Sequence, residues 1–348
     1  MSEIIQLDYD SLRDAVDVRD RFDLYREARR DARHSYGGSM NFERRGKAEY
    51  LIRRPYGSST RKSYGRRTPE TEETLRKFLV GKAEVRDRVA ALRQQLNDRA
   101  RILRARDLGR VPLLTARIMR RLDDLNWLGT SLTVLGTNAL YAYEAKAGVR
   151  IEAGLLATSD VDVLYDARRR LDLSGEVNGT GLVGALQSVD RSFRKTPNRP
   201  YTAANREGYM VDLLEPLDHG RTMRKGEARL SDHPDDLVAT TTESSRWLLN
   251  APKFEATTFD ETGLPVRMVT IDPRVFALQK QWIVENDSSR DPLKRTRDAE
   301  QARVAATIVT RHLGLSFDDP ALSGLPRSFR DLSDRWTDVP SEDPTDRW

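Results

Sequence analysis

Three acidic residues in apolar runs are the residues of this sequence best suited to chemistry. Asp160 and Asp162 lie in the run TSDVDVL of residues 158–164, and Asp212 lies in the run YMVDLL of residues 209–214. Side chains two residues apart on a strand point to the same face. The first two carboxylates therefore lie side by side, where they repel each other unless a cation sits between them. This spacing predicts a site for a divalent cation.

A glycine turn precedes the acids in the sequence. The apolar run Leu132–Leu135 predicts a strand and Ala139–Ala147 predicts a helix, so Gly136 and Thr137 form the turn between them. Glycine lets the backbone approach a ligand closely, and the amide groups that open a helix face anions such as phosphates. We therefore expect Gly136 and Thr137 to contact a triphosphate, to which the threonine adds its hydroxyl group.

Together, these features are the layout of a metal-dependent nucleotidyl-transfer site. In that reaction an acceptor hydroxyl attacks the α-phosphate of an NTP, and two divalent ions about 4 Å apart can stabilise the attacking and leaving oxygens. Carboxylates suit Mg²⁺, with Mn²⁺ as the alternative ion. We assign Asp160 and Asp162 as ligands of both ions, and Asp212 as a ligand of one ion and acceptor of the hydroxyl proton. A lone Asp-x-Asp is usually a solvated strand edge and a lone Gly-Thr a plain turn, so this prediction rests on their combination.

Two helices are predicted late in the chain. Asp-Pro pairs at 272–273 and 291–292 each look like an N-cap followed by proline at the first helical position. They predict helices over 273–286 and 292–313.

Three cations in and between these helices are predicted to bind the nucleotide: Lys280, Lys294 and Arg290, which lies just before the second helix. Lys280 falls in an otherwise apolar helical stripe, and a buried ammonium is costly unless an anion pairs with it. The expected anion is a triphosphate or one of the carboxylates. Lys294, Asp298 and Gln301 share a face of the next helix. The alternative is an internal lysine–aspartate pair that locks the two helices together.

The composition excludes several classes of protein. At 348 residues, with 32% charged and 38% hydrophobic residues, the chain should form two or three domains around a sizeable core. Without cysteine it has no disulfide, no zinc–thiolate site and no cysteine nucleophile, and its four histidines lack metal-ligand spacing. No apolar run approaches the roughly 20 residues of a membrane span, and the first residues do not look like a signal peptide. We expect a cytoplasmic protein that does not bind membranes.

The net charge of +5 is unevenly spread. Residues 1–130 contain 30 Lys or Arg against 20 Asp or Glu, and residues 43–67 contain nine basic residues against two acidic ones. Tyr50, Tyr56 and Tyr64 lie among these cations. Basic residues interleaved with aromatics can hold phosphates and stack bases, so we predict that segment 43–67 binds a nucleic-acid acceptor. The alternative is a solvated, arginine-rich loop.

The acid, glycine and late-helix motifs resemble the nucleotidyltransferase superfamily typified by DNA polymerase β, which has apolar-Gly-Ser/Thr, then Asp-x-Asp, then a later apolar-Asp-apolar. From Val134 to about residue 302, the chain looks more closely like a bacterial family of nucleotidyltransferase-fold proteins. The matching segments are GTNALYAYEA (136–145), ATSDVD (157–162), GYMVD (208–212), PRVFALQK (273–280) and KRTRDAEQ (294–301). This resemblance implies a Mg²⁺-dependent NTP site.

Two departures from the superfamily pattern concern the glycine turn. Gly136 and Asp160 are 24 positions apart, which is longer than usual, so residues 147–158 should form an insertion before the acid strand. Thr137 also stands where serine is common. Neither change removes a ligand, and we expect an active site.

The predicted fold is α/β (α+β), with a small mixed β-sheet nucleotidyltransferase core. We divide the chain into a basic, all-helical N-terminal module (1–127), the core (128–272) and C-terminal helices with an irregular tail after residue 316 (273–348). Residues 34–67 are predicted to be irregular. The other predicted elements are the helices 10–33, 69–106, 111–125 and 179–194 and the strands 161–165, 210–214 and 266–271.

The predicted activity is transfer of NMP from an NTP to a hydroxyl group. The 3′ end of an RNA such as tRNA is the favoured acceptor, and a protein or small molecule is the alternative. Related folds also serve as toxins or in defence, which suggests such a role here. The second hypothesis is a non-catalytic nucleotide- or nucleic-acid-binding protein, and the three clustered acids count against it because unneeded acids repel each other.

Overall fold

The computed structural model describes residues 4–337 apart from 59, 167–180, 217–228, 232, 243–244 and 246. Its strands are β1 (Ile4–Gln6), β2 (Gly38–Arg45), β3 (Ala48–Pro55), β4 (Lys62–Arg66), β5 (Leu132–Leu135), β6 (Val149–Ile151), β7 (Asp160–Tyr165), β8 (Arg194–Thr196), β9 (Arg199–Ala204), β10 (Met210–Pro216), β11 (Thr240–Thr242), β12 (Lys253–Phe259) and β13 (Pro265–Ile271). Its α-helices are α1 (Tyr9–His34), α2 (Pro69–Ala105), α3 (Leu113–Asp124), α4 (Ala139–Ala147), α5 (Ala153–Leu156), α6 (Gly181–Gln187), α7 (Pro273–Asn286), α8 (Pro292–Thr307), α9 (Arg327–Arg330) and α10 (Asp334–Thr337).

A mixed sheet forms the centre of the fold. Within the described residues its strand order is β12-β13-β5-β7-β10-β9-β8, and β11 also pairs with β10. β7 and β10 are parallel, whereas β5 runs antiparallel to β7. All four residues of β5 are buried, since apolar side chains cover both of its faces. The predicted α/β class and its four core strands are therefore confirmed.

The two late helices, α7 and α8, begin where the sequence predicts. The Asp272 side chain accepts from the amide of Arg274, and the Asp291 side chain accepts from the amides of Leu293 and Lys294. A proline follows each cap at the first helical position, where no amide hydrogen bond is lost. α8 ends at Thr307 and continues as a short π-helix over Ile308–His312.

The prediction of an irregular segment over residues 34–67 is wrong. β2, β3 and β4 form an antiparallel three-stranded sheet, so the first third of the chain is not all-helical. Gly46, with φ of +62°, turns the chain between β2 and β3. Leu51 and Ile52 are fully buried, and this short β-favouring run was obscured by the surrounding arginines.

The N-terminal elements pack directly on the core. A second apolar cluster joins Val18 and Phe22 of α1 to Leu96 and Leu103 of α2 and to Phe259 of β12. At the start of the chain, β1 pairs antiparallel with β6. The proposed boundary at residue 127 stays a prediction.

Two further predictions need correction. The helix predicted over 179–194 is shorter, since α6 ends at Gln187. Beyond it the chain turns, and the Asp190 side chain accepts hydrogen bonds from the amide and hydroxyl groups of Ser192. Residues 179–180 lie outside the described residues. The tail is not irregular over 320–337, where short helices include α9 and α10, while 338–348 also lie outside the described residues. No helix in the described part of the chain is long and apolar enough to cross a membrane.

Candidate active site

The three predicted acids meet at one place on the central sheet. In the parallel pairing of β7 with β10, Asp162 stands opposite Asp212, and Asp160 stands opposite Met210. Neighbouring strands lie about 4.8 Å apart, and the even-numbered positions share one face. Asp160, Asp162 and Asp212 are each half-buried. The sheet therefore concentrates three carboxylates on one face.

A threonine hydroxyl holds each of the two outer acids. Thr202 Oγ1 donates to Asp212 Oδ1 over 2.6 Å, and Thr158 Oγ1 donates to Asp160 Oδ1. Thr202 lies on the neighbouring strand β9, directly opposite Asp212. These two threonines were not singled out from the sequence, although Thr158 lies only two residues before its acid. They orient the carboxylates without neutralising their charge.

Burial and mutual repulsion shift the pKa values of two of the acids. Burial, with help from the neighbouring Asp160 and Asp212, raises the pKa of Asp162 from 3.8 to about 7. Lys280 and Arg290 oppose this rise. Burial also raises the pKa of Asp212. Like charges held this close favour a protonated carboxyl or a bound cation.

The glycine of the turn is required by the position of the middle acid. Gly136 has φ of +63°, and a Cβ added to it would overlap the carboxylate of Asp162. Leu135, the residue before the turn, stands opposite Asp162 in the pairing of β5 with β7. Asn138 Nδ2 then donates to the backbone oxygen of Asp160 over 2.7 Å. The turn therefore contacts β7 through this hydrogen bond as well as through the β5–β7 pairing.

α8 contacts the same turn through two residues of one helical face. Gln301 Nε2 donates to Thr137 Oγ1 over 3.1 Å and to the backbone oxygen of Leu155 over 2.8 Å. Arg297 donates to Thr137 Oγ1 over 3.4 Å and to the backbone oxygen of Ala157. The expected insertion, which contains β6 and α5, is thereby tied to α8. Sequence reasoning missed Arg297, although it lies four residues before Gln301.

The predicted nucleotide-binding cations occupy different surroundings. Lys280 Nζ bonds Asp298 Oδ1 over 2.6 Å, and Arg290 Nη2 bonds Asp298 Oδ2 over 2.7 Å. This is the internal lysine–aspartate pair that the sequence offered as the alternative. Burial lowers the pKa of Lys280, while Asp298 opposes that change. Lys294 is exposed on the first turn of α8 and interacts electrostatically with Asp212.

The donors at this site fit a hard divalent ion that shares its ligands with a substrate. Within the described residues, no three histidine, cysteine, aspartate or glutamate side chains are grouped closely enough to hold a metal ion by themselves. Mg²⁺ is usually bound through one or two carboxylates, and substrate phosphates and water complete its shell. Oxygen donors with excess negative charge match that pattern.

The basic segment 43–67 uses many of its charges internally. Arg54 and Arg61 both pair with Glu43, and Arg67 pairs with Glu49 and Glu72. Arg66 lies over the Tyr50 ring and Lys62 lies over the Tyr64 ring. The interleaved aromatics and cations therefore contact each other, along β4 for Lys62 and Tyr64 and between β4 and β3 for Arg66 and Tyr50.

Comparison with known proteins identifies the central and C-terminal part of the chain. A protein family described as nucleotidyltransferase matches residues 114–325, which is more than half of the chain and contains every predicted site residue. No curated protein and no solved structure matches the sequence. The chain belongs to this nucleotidyltransferase family.

Proposed function

We propose that this protein is a metal-dependent enzyme that transfers NMP from an NTP to a hydroxyl group. The observation that carries the proposal is the pairing of β7 with β10, which sets Asp162 beside both Asp160 and Asp212 and next to the Gly136 turn. Membership of a nucleotidyltransferase family supports NMP transfer in general.

Asp160, Asp162 and Asp212 would hold Mg²⁺, or Mn²⁺ in its place. When bound, such ions stabilise the attacking and leaving oxygens of the displacement. Asp212 would also accept the proton of the attacking hydroxyl. The hydrogen bond from Thr202 fixes the direction of its carboxylate.

Gly136, Thr137 and three cations would bind the triphosphate. Lys294 is exposed near Asp212, so its ammonium can reach phosphate oxygens. Lys280 and Arg290 both pair with the carboxylate of Asp298, and both still act electrostatically on Asp162. They would therefore attract a phosphate by their positive charge without contacting it directly. Gln301 and Arg297 would hold the Thr137 hydroxyl in place.

The favoured acceptor is the 3′ end of an RNA, and a protein or small-molecule hydroxyl is the alternative. The excess of basic residues in the first third of the chain favours a polyanion. A toxin or defence role would follow from the resemblance to other nucleotidyltransferase folds.

Incubation with Mg²⁺ and each α-³²P-labelled NTP in turn tests the activity, with total bacterial RNA or a cell lysate as the acceptor. We expect label in RNA, and we expect it to disappear with EDTA and with Asp160→Ala/Asp162→Ala. Asp318→Ala, an exposed acid outside the site, is the control and should transfer label normally.

The acceptor class is read from the fraction that carries the label. Label in protein or in a small product would replace RNA by that acceptor. Binding of Mg²⁺ and NTP without transfer to any fraction would favour the non-catalytic binding protein.

A further inference from the structure

A positively charged groove lies beside the core, away from the three acids. It measures about 520 Å³ and lies between α1, the C-terminal end of α3 and the loop before β5. Its arginines are Arg26, Arg29, Arg30, Arg33, Arg121 and Arg267. We propose that this groove binds the phosphodiester backbone of a nucleic acid.

The arginines of α1 form a row along one side of that helix. Arg26, Arg29, Arg30 and Arg33 follow the i, i+3, i+4, i+7 spacing that places side chains on one helical face. Arg33 also lies over the ring of Tyr56, which is 49% exposed at the groove. A row of guanidinium groups beside an exposed aromatic ring suits phosphates and bases.

The charge of the groove is only partly neutralised by the protein. Asp123 pairs with Arg26 and Arg267, and Asp124 pairs with Arg29. Glu255 also pairs with Arg26 and Arg267, and Asp23 pairs with Arg26, so four acids face the six arginines of the groove.

Two of the arginines have no acceptor in the described part of the chain. Arg30 is exposed and forms no hydrogen bond or ion pair there. Arg121 Nε is buried and has no hydrogen-bond partner. The exposed guanidinium of Arg30 is therefore available to a phosphate, with which it can form charge-assisted hydrogen bonds.

The extent of the positive surface favours a polymer over a small anion. The groove continues past Ala32 and Val89 into a second groove of about 440 Å³ that is lined by Lys82 and Arg86. By contrast, five of the nine cations of segment 43–67 contact its own acids or aromatic rings: Arg54, Arg61, Lys62, Arg66 and Arg67. We therefore favour the groove along α1, to which Tyr56 of that segment contributes, as the main surface for the polyanion.

The position of the groove also favours a polymer. Gly129 and Thr130, which precede β5, line the groove, whereas Gly136 follows β5. Because β5 has four residues, the two places lie roughly 13 Å or more apart at about 3.3 Å per residue. A polynucleotide can span that distance, and the claim that it is the acceptor rests on the proposed function.

Binding can be measured on the full chain without NTP, so that no transfer is needed. Fluorescence anisotropy would follow labelled single-stranded RNA, an RNA hairpin and the corresponding DNA at roughly 50 and 200 mM salt. Arg30→Glu/Arg121→Gln is compared with Arg13→Glu/Arg327→Gln, which changes the charge equally at exposed positions outside the groove. Arg30→Glu and Arg13→Glu alone form a second matched pair, since both side chains are exposed and neither change should disturb folding.

We expect the groove variants to bind nucleic acid at least 10-fold more weakly than their controls. The double variant should also bind with a weaker salt dependence. On a single strand, the negative slope of log affinity against log salt should become shallower by about 1.4, because each of the two lost phosphate contacts contributes about 0.7. The RNA and DNA probes show which nucleic acid is bound.

The inference would be overturned by equal affinity in the groove and control variants or by a parent protein that does not bind nucleic acid. Groove-dependent binding of polyglutamate that is as tight as that of nucleic acid would also overturn it, because the ligand would then be an acidic protein. Label transfer without nucleic-acid binding would refute the groove and leave the proposed activity intact. Groove-dependent binding without label transfer would support the groove and count against the activity.

Discussion

At the scale of single residues, the site depends on how closely Gly136 approaches Asp162. The glycine adopts a positive φ, and its missing Cβ leaves the space that the carboxylate fills. Many turns require glycine for its backbone conformation alone, whereas this turn also requires the absence of a side chain.

Gly136→Ala should therefore impair nucleotidyl transfer as well as lower the stability of the fold. The added methyl group must displace the Asp162 carboxylate, and we expect transfer to fall by ~100-fold because small displacements of reacting groups are that costly. Gly208→Ala is the matched control, since Gly208 has φ of +81° and nothing lies within 4 Å of an added Cβ. Both variants should lose about 1 kcal/mol of stability from backbone strain. Equal activity of the two variants would refute the role assigned to the close approach.

Asp162→Asn should remove activity and stabilise the metal-free protein at high pH. The folded state raises the pKa of Asp162 from 3.8 to about 7, so it binds the proton more tightly than the unfolded chain. The stability from this group is therefore present below about pH 4 and is lost as the pH rises to about 7. In EDTA at pH 8, we expect the variant to gain up to about 4 kcal/mol in the free energy of unfolding, because each unit of pKa shift corresponds to about 1.4 kcal/mol.

Thermal unfolding at pH 5 and pH 8 measures this gain, with Asp318→Asn, an exposed acid, as the control. The gain should be larger at pH 8, and saturating Mg²⁺ should reverse it by binding the parent alone. A gain that is independent of pH would contradict the electrostatic explanation.

At the scale of elements, α7 and α8 are joined by one buried carboxylate. Asp298 accepts from both Lys280 and Arg290, and only 2% of its surface is exposed. Since Gln301 lies on the same helix and holds Thr137, this ion cluster also supports the glycine turn.

Asp298→Ala should destabilise the protein more than Lys280→Met. The first change leaves two cations without their carboxylate and should cost about 3–5 kcal/mol. The second leaves the Arg290–Asp298 pair intact and fills the space with an apolar chain, so we expect a loss of less than about 2 kcal/mol. Urea unfolding of both variants gives the two free energies, and the reverse order would show that Lys280 is the indispensable partner.

Local patterns predicted the acids and the helix starts, because each pattern is complete within a few residues. The alternation around Asp160 and the Asp-Pro caps are examples. Thr202 could not be assigned to Asp212, because their contact depends on the pairing of β9 with β10. The small sheet was missed because only the run at Leu51 and Ile52 is apolar, and the burial of these two residues depends on tertiary packing.

At the scale of the whole molecule, the N-terminal helices share a core with the nucleotidyltransferase region. Phe259 of β12 belongs to the same cluster as Phe22 of α1 and Leu103 of α2. Arg267 of β13 adds ion pairs to Asp123 and Glu255. Unfolding of the helices would therefore expose part of the core.

Phe22→Ala should lower a single unfolding transition of the whole protein. Phe22 is 7% exposed, and deletion of a buried phenylalanine ring typically costs about 3–5 kcal/mol. Leu24→Ala, on the same helix but 46% exposed, should cost less than about 1 kcal/mol. Scanning calorimetry distinguishes one shifted transition from two separate ones, and a second transition that does not move would show that the helices unfold independently.

The pairing of β1 with β6 also sets an order of events during folding. Ile4 lies opposite Ile151, and Gln6 lies opposite Val149. Chains emerge from the ribosome with the N-terminus first, so β1 has no partner until the residues of β6 have been synthesised. Closing so long a loop is entropically costly and has to follow other contacts. β1 is therefore one of the later strands to join the fold, and its edge stays unpaired until β6 is in place.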